Sequence, residues 1–228
     1  MKTLIAIPCM DMVHTEFMKS LLGMRRVGET KFMISCSSLI YDARNAMARK
    51  AVNEGYDRIL WLDSDMSFDP DLMERLSAHL DDGKEFISGI YFTRKAPVRP
   101  VLYKECGYYD MGGGSVSPKA VWYDDYPKDS LFPIKASGFG GVMLTTELIK
   151  KVADQYGLPF APMLGFGEDL SFCARATECG AELWCDSTIK MGHVGLGTIT
   201  ENVYLSQGGS NGHPIGSQTG PENNDNGI

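Results

Sequence analysis

The chain has 228 residues, 43% hydrophobic and 22% charged, with 29 acidic against 22 basic side chains and a formal charge of −7. That composition can fill a sizeable core and excludes wholesale disorder. Its acidic balance argues against a sequence-independent nucleic-acid clamp, which needs a large positive excess, while leaving room for a cation held among carboxylates. The first apolar run, residues 4–7, is broken by Pro8 and then Asp11. A leader needs roughly 7–15 apolar residues and a spanning helix about 20, so the expectation is a cytoplasmic chain. Its six cysteines, Cys9, Cys36, Cys106, Cys173, Cys179 and Cys185, form no C-x-x-C and match no common zinc spacing. They are expected to be reduced thiols, several of them buried.

In chain order, residues 3–8 read as a buried strand ending at Pro8, residues 15–24 as a helix with Phe17, Met18, Leu21 and Leu22 on one side, and residues 31–35 as a second strand. Residues 41–54 predict a helix, with Ala43, Ala46, Met47, Ala51 and Val52 as its apolar stripe and Gly55 as its stop. Residues 58–62 form a buried-strand run ending at Asp63. A helix follows from Pro70, with Asp69 as its expected cap, and then a strand over 85–91. Strands alternating with helices predict an α/β fold with a mostly parallel central sheet flanked by helices. Residues 93–133, rich in Gly, Pro, Tyr and Asp, interrupt the alternation as an irregular or hairpin-rich insertion. A strand over 142–144, helices over 146–156 and 169–179, and a final strand over 181–186 complete a single domain, residues 1–206. The rest, 207–228, has glycine and asparagine in quantity and no aromatic, and reads as a flexible tail.

Five places suit chemistry. Asp63-Ser64-Asp65 follows a core strand directly, where the ligand crevice of an α/β sheet lies. Carboxylates at i and i+2 of an extended segment share a side and can hold Mn²⁺ or Mg²⁺. With 17 Asp in the chain, about one D-x-D arises by chance. The second match, Asp69-Pro70-Asp71, does not end a core strand. That second match reads as a helix cap, and solvated turn residues are the plainer reading of Asp63 and Asp65. Glu168-Asp169, after Gly165-Phe166-Gly167, enters a helix: a carboxylate there can take a proton from a hydroxyl, or merely favour the helix N-terminus. His193, between Gly192 and Val194-Gly195, is free to reach a metal or to stand idle in a loop. Gly140 and Gly141, in Ser137-Gly138-Phe139-Gly140-Gly141, let a backbone approach a ligand closely or make a tight turn. Arg44-Asn45, early in a helix, can meet a phosphate, though such pairs are mostly surface.

In order, these pieces resemble the GT-A fold glycosyltransferases, close to the family-2-like group of nucleotide-sugar enzymes. The likeness runs from Ile5-Ala6-Ile7-Pro8 through Ala43-Arg44-Asn45, Trp61-Leu62-Asp63-Ser64-Asp65-Met66, residues 138–144 and Gly167-Glu168-Asp169-Leu170 to His193. It implies a Rossmann-like GT-A domain that moves a sugar, of hexosyltransferase type, from a nucleotide-diphosphate sugar to an acceptor hydroxyl, with UDP favoured. Pro8, Asp11, Arg44 and Asn45 would line the nucleotide pocket. Ser64, Gly140 and Gly141 would border the donor. Asp63 would touch the ribose or the metal, Asp65 and His193 would ligate Mn²⁺ or Mg²⁺, Asp169 would act as general base in an inverting displacement, and Glu168 would bind a sugar.

The insertion, with Tyr103, Tyr108, Tyr109, Trp122, Tyr123 and Tyr126, departs from the group. Its aromatics would stack on a sugar or base, or form their own small core. Compact chains of this kind also occur among virus-encoded glycosyltransferases, which would place this one in host cytoplasm. Some of those act on hydroxymethylated bases of DNA, a minority reading here given the acidic charge. Two alternatives remain. A nucleotidyltransferase is disfavoured because residues 8–13 have no Gly, Lys or Arg. A non-catalytic nucleotide-sugar-binding module is disfavoured because Asp63, Asp65 and Asp169 are all present.

Overall fold

Alternating aliphatic residues make β1 (Lys2–Cys9), which is buried along nearly its whole length. Period-two geometry sends Leu4 and Ala6 to one face of the sheet and Ile5 and Ile7 to the other. The structure, a computed structural model, describes residues 1–195 and 197–207. After β1 come α1 (Thr15–Gly23), β2 (Glu29–Cys36), α2 (Ile40–Asn53), β3 (Arg58–Leu62), the short β4 (Met66–Ser67), α3 (Leu72–Asp81) and β5 (Phe86–Ile90). The insertion is a long hairpin, β6 (Leu102–Gly112) and β7 (Ser115–Trp122), followed by β8 (Leu131–Ile134) and β9 (Ala136–Ser137). Then follow β10 (Gly141–Thr145), α4 (Thr146–Tyr156), α5 (Glu168–Glu178), β11 (Leu183–Lys190), β12 (Gly192–Val194), β13 (Thr198–Ile199) and α6 (Glu201–Ser206).

Seven strands form the central sheet in the order β2-β1-β3-β10-β5-β11-β8. β2, β1, β3, β5 and β11 run in one direction, and β10 and β8 run against it. The expected mostly parallel sheet is therefore present, with an antiparallel strand at its centre. β8 lies at one edge, where Pro133 is tolerated because its missing N–H faces no partner strand.

Helices cover both faces. α2, α4 and α5 pack Met47, Leu148, Val152 and Phe172 against Leu4, Ile59 and Trp61. α1 and α3 pack Phe17, Met73 and Leu76 against Ile5, Leu60 and Met143. Four aromatic rings fix the first layer: Phe160 stacks on Phe172 at 4.7 Å, and Phe139 meets both Trp61 and Phe160 edge-on.

Several local expectations change. β1 runs one residue past Pro8, to Cys9. The N-cap of α3 is Asp71, without a side-chain bond, so Asp69 is not its cap; instead the Asp69 carbonyl accepts from Leu72 N–H in a turn. The strand expected to be last, β11, is followed by β12, β13 and α6. α6 was hidden because it is one and a half turns long, and what holds it is distant. Phe92 stacks on Tyr204 at 4.7 Å, and the buried Glu201 carboxylate takes a hydrogen bond from Tyr126 at 2.9 Å and pairs with Lys190 at 2.6 Å. The aromatic insertion divides. Tyr103 and Tyr126 join the domain core, whereas Tyr109, at the outer half of the hairpin, is exposed. The tail expected over 207–228 lies, beyond Gln207, outside the described residues.

Candidate active site at the carboxyl edge of the sheet

β1 and β3 run in parallel, so their carboxyl ends open on the same edge and place Pro8, Asp11 and residues 63–65 there together. Pro8 is buried within β1 and Asp11 is exposed just beyond it. The His14 N–H donates to the Ser64 carbonyl at 3.0 Å and ties the segment after β1 to the turn after β3.

That turn separates the two motif carboxylates. Residues 63–65 are a turn, closed by Met66 N–H donating to the Asp63 carbonyl at 3.2 Å, and not the extended segment expected. Asp63 therefore turns to Arg44, and Asp65 to His193 and Arg94. Asp63 is thus engaged with Arg44, away from Asp65 and His193, which face each other. Among the described residues no three His, Cys, Asp or Glu side chains converge on one point.

Arg44 organises the first group. Its side chain is 3% exposed, at the start of α2. One nitrogen lies 2.8 Å from Asp63 and another 3.3 Å from Glu168 at the start of α5. The guanidinium is 5.4 Å from the centre of each of the Trp61 and Phe139 rings. Burial opposes its charge, but Asp63, Glu168 and Asp169 outweigh this and raise its basicity. Nη1 finds no acceptor among the described residues.

Asp169 is the outlier of the group. Burial, then the neighbouring Glu168 charge, push its carboxyl up to about 6. One of its oxygens accepts from the Leu170 N–H at 2.7 Å. The Tyr91 phenol, buried beside Asp63 and Asp169, is raised well above its ordinary range, so it stays a neutral hydroxyl.

The second group is built by β12. His193 was expected in a free glycine loop; it lies on a strand paired with Met66 of β4 on one side and Ile199 of β13 on the other. Its Nδ1 is 2.8 Å from the Phe92 carbonyl, which can only accept, so Nδ1 carries the proton and donates. Nε2 is left 3.5 Å from Asp65. Burial opposes ionisation of Asp65, but His193 and then Arg94, at 2.9 Å, hold its carboxyl below the usual range. Val194 N–H donates to the Asp65 carbonyl at 2.7 Å, locking β12 to the motif backbone.

Asn45, Gly140 and Gly141 are tied into the packing around them. Asn45, adjacent to Arg44, uses its side-chain oxygen to accept from Phe160 N–H at 3.0 Å and borders a groove of about 300 Å³ between α2 and α4. Its side-chain oxygen is thereby committed to the 157–167 loop, while Nδ2 is buried without a partner among the described residues. Gly140 and Gly141 are buried by packing. A Cβ at Gly141 would lie 2.2 Å from Met191 Sδ, and one at Gly140 3.0 Å from Met66 Sδ and from the Tyr91 ring. The Gly140 carbonyl accepts from Asp63 N–H at 3.3 Å, so this segment shapes the turn that carries the motif.

Sequence reasoning missed Arg94, Tyr91 and the Phe92 carbonyl. All three lie at the carboxyl end of β5, which runs in the same direction as β3, so the rule that picked out Asp63 was also available for them.

No protein-family model matches the chain, and no curated protein is similar to it in sequence. Solved structures are. A197 from STIV superposes with a TM-score of 0.60 at 17% identity over 85% of each chain. GalNAc-T7, whose structure was solved with UDP, GalNAc and Mn²⁺, superposes with a TM-score of 0.57 at 11% identity over 85% of this chain. This chain spans 44% of the GalNAc-T7 chain. At these identities the likeness shows the fold: a GT-A-like α/β domain with a large, mostly parallel central sheet between helices.

Proposed function

We propose that the protein is a metal-dependent glycosyltransferase that moves a sugar from a nucleotide-diphosphate donor, UDP favoured, to an acceptor hydroxyl. The observation that carries this reading is the meeting of two charge groups at one sheet edge. One contains an acid of raised pKa, and the other pairs a carboxylate with an imidazole of fixed tautomer.

The residues fit a cation. With Nδ1–H committed to the Phe92 carbonyl, Nε2 is the His193 nitrogen left facing the ionised Asp65, and a cation between them would take its lone pair. One imidazole nitrogen and one carboxylate oxygen form a donor set that suits Mn²⁺ and accommodates Mg²⁺, with further oxygens coming from substrate and water. A divalent cation held there would neutralise charge on a departing diphosphate.

The chain's own groups do the rest. Asp169 would accept the acceptor's hydroxyl proton, and a carboxyl near 6 is mostly ionised at neutral pH yet basic enough for the task. Arg44 would keep Asp63 and Glu168 apart and aimed, leaving Asp63 for the ribose and Glu168 for a sugar hydroxyl. The GT-A-like fold and the GalNAc-T7 likeness support the reading, and the family-2 kinship and inverting outcome belong to the same proposal.

Release of UDP from UDP-sugars in Mn²⁺, with a hydroxyl acceptor supplied, tests it. The wild type should turn over, while Asp169→Asn should bind UDP and lose turnover by about 10²-fold or more. Undiminished turnover in Asp169→Asn would remove the base from the mechanism.

A further inference from the structure

The parallel register of β1 and β2 pairs Cys9 with Cys36, at the end of both strands. Their Sγ atoms are 3.1 Å apart, and both are free thiols. Cys9 is buried and Cys36 is exposed, so the pair has an open side. Cys106, Cys173 and Cys179 instead direct their sulfurs at the carbonyls of Leu170, Ser137 and Lys151.

We propose that Cys9 and Cys36 form an oxidation site, at which a small disulfide of the glutathione class converts the two thiols into a cross-strand disulfide. The Cys36 thiolate attacks the oxidant's S–S bond, forms a mixed disulfide and releases one thiol. Cys9 then gives up its proton and attacks the Cys36 sulfur, releasing the second thiol. Two protein thiols are oxidised to one disulfide, and one oxidant disulfide is reduced to two thiols. The order follows from access. Burial, reinforced by Cys36, pushes the Cys9 thiol up to about 11, which leaves Cys36 to react first and makes closure by Cys9 the slower step.

The consequence is mechanical. β2 is an edge strand whose sole neighbour in the sheet is β1. Just beyond the pair, Ser37 N–H donates to the Cys9 carbonyl, and the chain then enters α2. A bond at this point pins the free edge of the sheet and the origin of the helix that carries Arg44. The inference does not depend on the transferase reading, and its test uses no activity.

The full-length protein is incubated with oxidised glutathione near pH 8, alkylated, and examined by intact mass and by unreduced tryptic mapping. The expected product has lost two hydrogens and retains four of its six thiols. It yields one cross-linked pair of peptides, residues 3–19 with 32–44. Its melting midpoint rises by several degrees, and reductant reverses the rise. Cys36→Ser, at an exposed position, keeps the fold and abolishes all three changes. Six remaining thiols, a persistent single glutathione adduct on Cys36, or a cross-link through other cysteines would each overturn the proposal.

Discussion

His193 donates its Nδ1 proton to the Phe92 carbonyl at 2.8 Å, and so its second nitrogen, Nε2, is the one that faces Asp65, at 3.5 Å. A backbone carbonyl can only accept, so the fold holds the proton on Nδ1 and reserves Nε2 for Asp65 or a cation. Arg94 is the third member of this group, 2.9 Å from the same carboxylate oxygen of Asp65.

Arg94 is therefore a cation already competing for Asp65. Its side chain is 45% exposed, so the pair is worth at most about 1 kcal/mol. Arg94→Ala is expected to tighten Mn²⁺ binding about two- to fivefold by calorimetry. Unchanged or weaker binding would show that Arg94 does not compete with the cation.

Arg44 is the reverse case, a buried cation that keeps three carboxylates from facing one another. Arg44→Met keeps the volume and removes the charge. Breaking a buried pair costs about 3–5 kcal/mol, and partial solvation of Asp63 and Glu168 favours the lower end. Denaturant melts should show a loss of about 3 kcal/mol at pH 8 and a smaller loss at pH 5, where the freed carboxylates can take up protons. A loss below about 1 kcal/mol at pH 8 would contradict this.

Asp169 gives a pH signature with a definite sign. Its folded carboxyl, at about 6, lies above the ordinary 3.8, so the folded state disfavours ionisation. The residue costs stability above pH 6 and costs nothing below about 3.8. Asp169→Asn should thus melt higher than wild type at pH 8, by on the order of 1–2 kcal/mol once screening at this half-buried position is allowed for. The gain should vanish near pH 3.5. Wild-type turnover should rise with pH through about 6. An Asn variant no more stable at pH 8 would remove the strained carboxylate from the account.

The glycines before β10 are explained by neighbours that can be altered. A Cβ at Gly138 would sit 2.1 Å from the Tyr91 hydroxyl oxygen. Gly138→Ala should cost about 1–3 kcal/mol by overpacking. Tyr91→Phe alone should cost about 1 kcal/mol, because Gly140 N–H loses its acceptor at 3.2 Å. The double variant should be more stable than the sum of the two losses, since the phenyl ring vacates the contested space. Strict additivity in thermal melts would place the strain elsewhere, Val101 being the next neighbour at 2.9 Å.

The sheet and its helices were legible because their residues carry local signals: the aliphatic runs of β1 and β3 and the stripe of α2. The placement of Arg44 beside Asp63 and Glu168 was not legible in any single segment, because it joins residues 19 and 124 positions apart. The same holds for His193 and Phe92, whose bond spans 101 positions. The segment 137–141 was ambiguous for a different reason. Glycine serves close packing and close ligand approach equally well, and only the positions of Tyr91, Met66 and Met191 distinguish them. Likewise the divergence of Asp63 and Asp65 follows from a turn that the D-x-D spacing does not encode.

The most direct test is calorimetric titration of UDP, with and without Mn²⁺, into the wild type and Asp65→Ala. The account predicts UDP binding that requires Mn²⁺ and weakens at least about tenfold in the variant, as loss of a metal ligand should produce. UDP binding that ignores both Mn²⁺ and Asp65, or no binding under any condition, would contradict it.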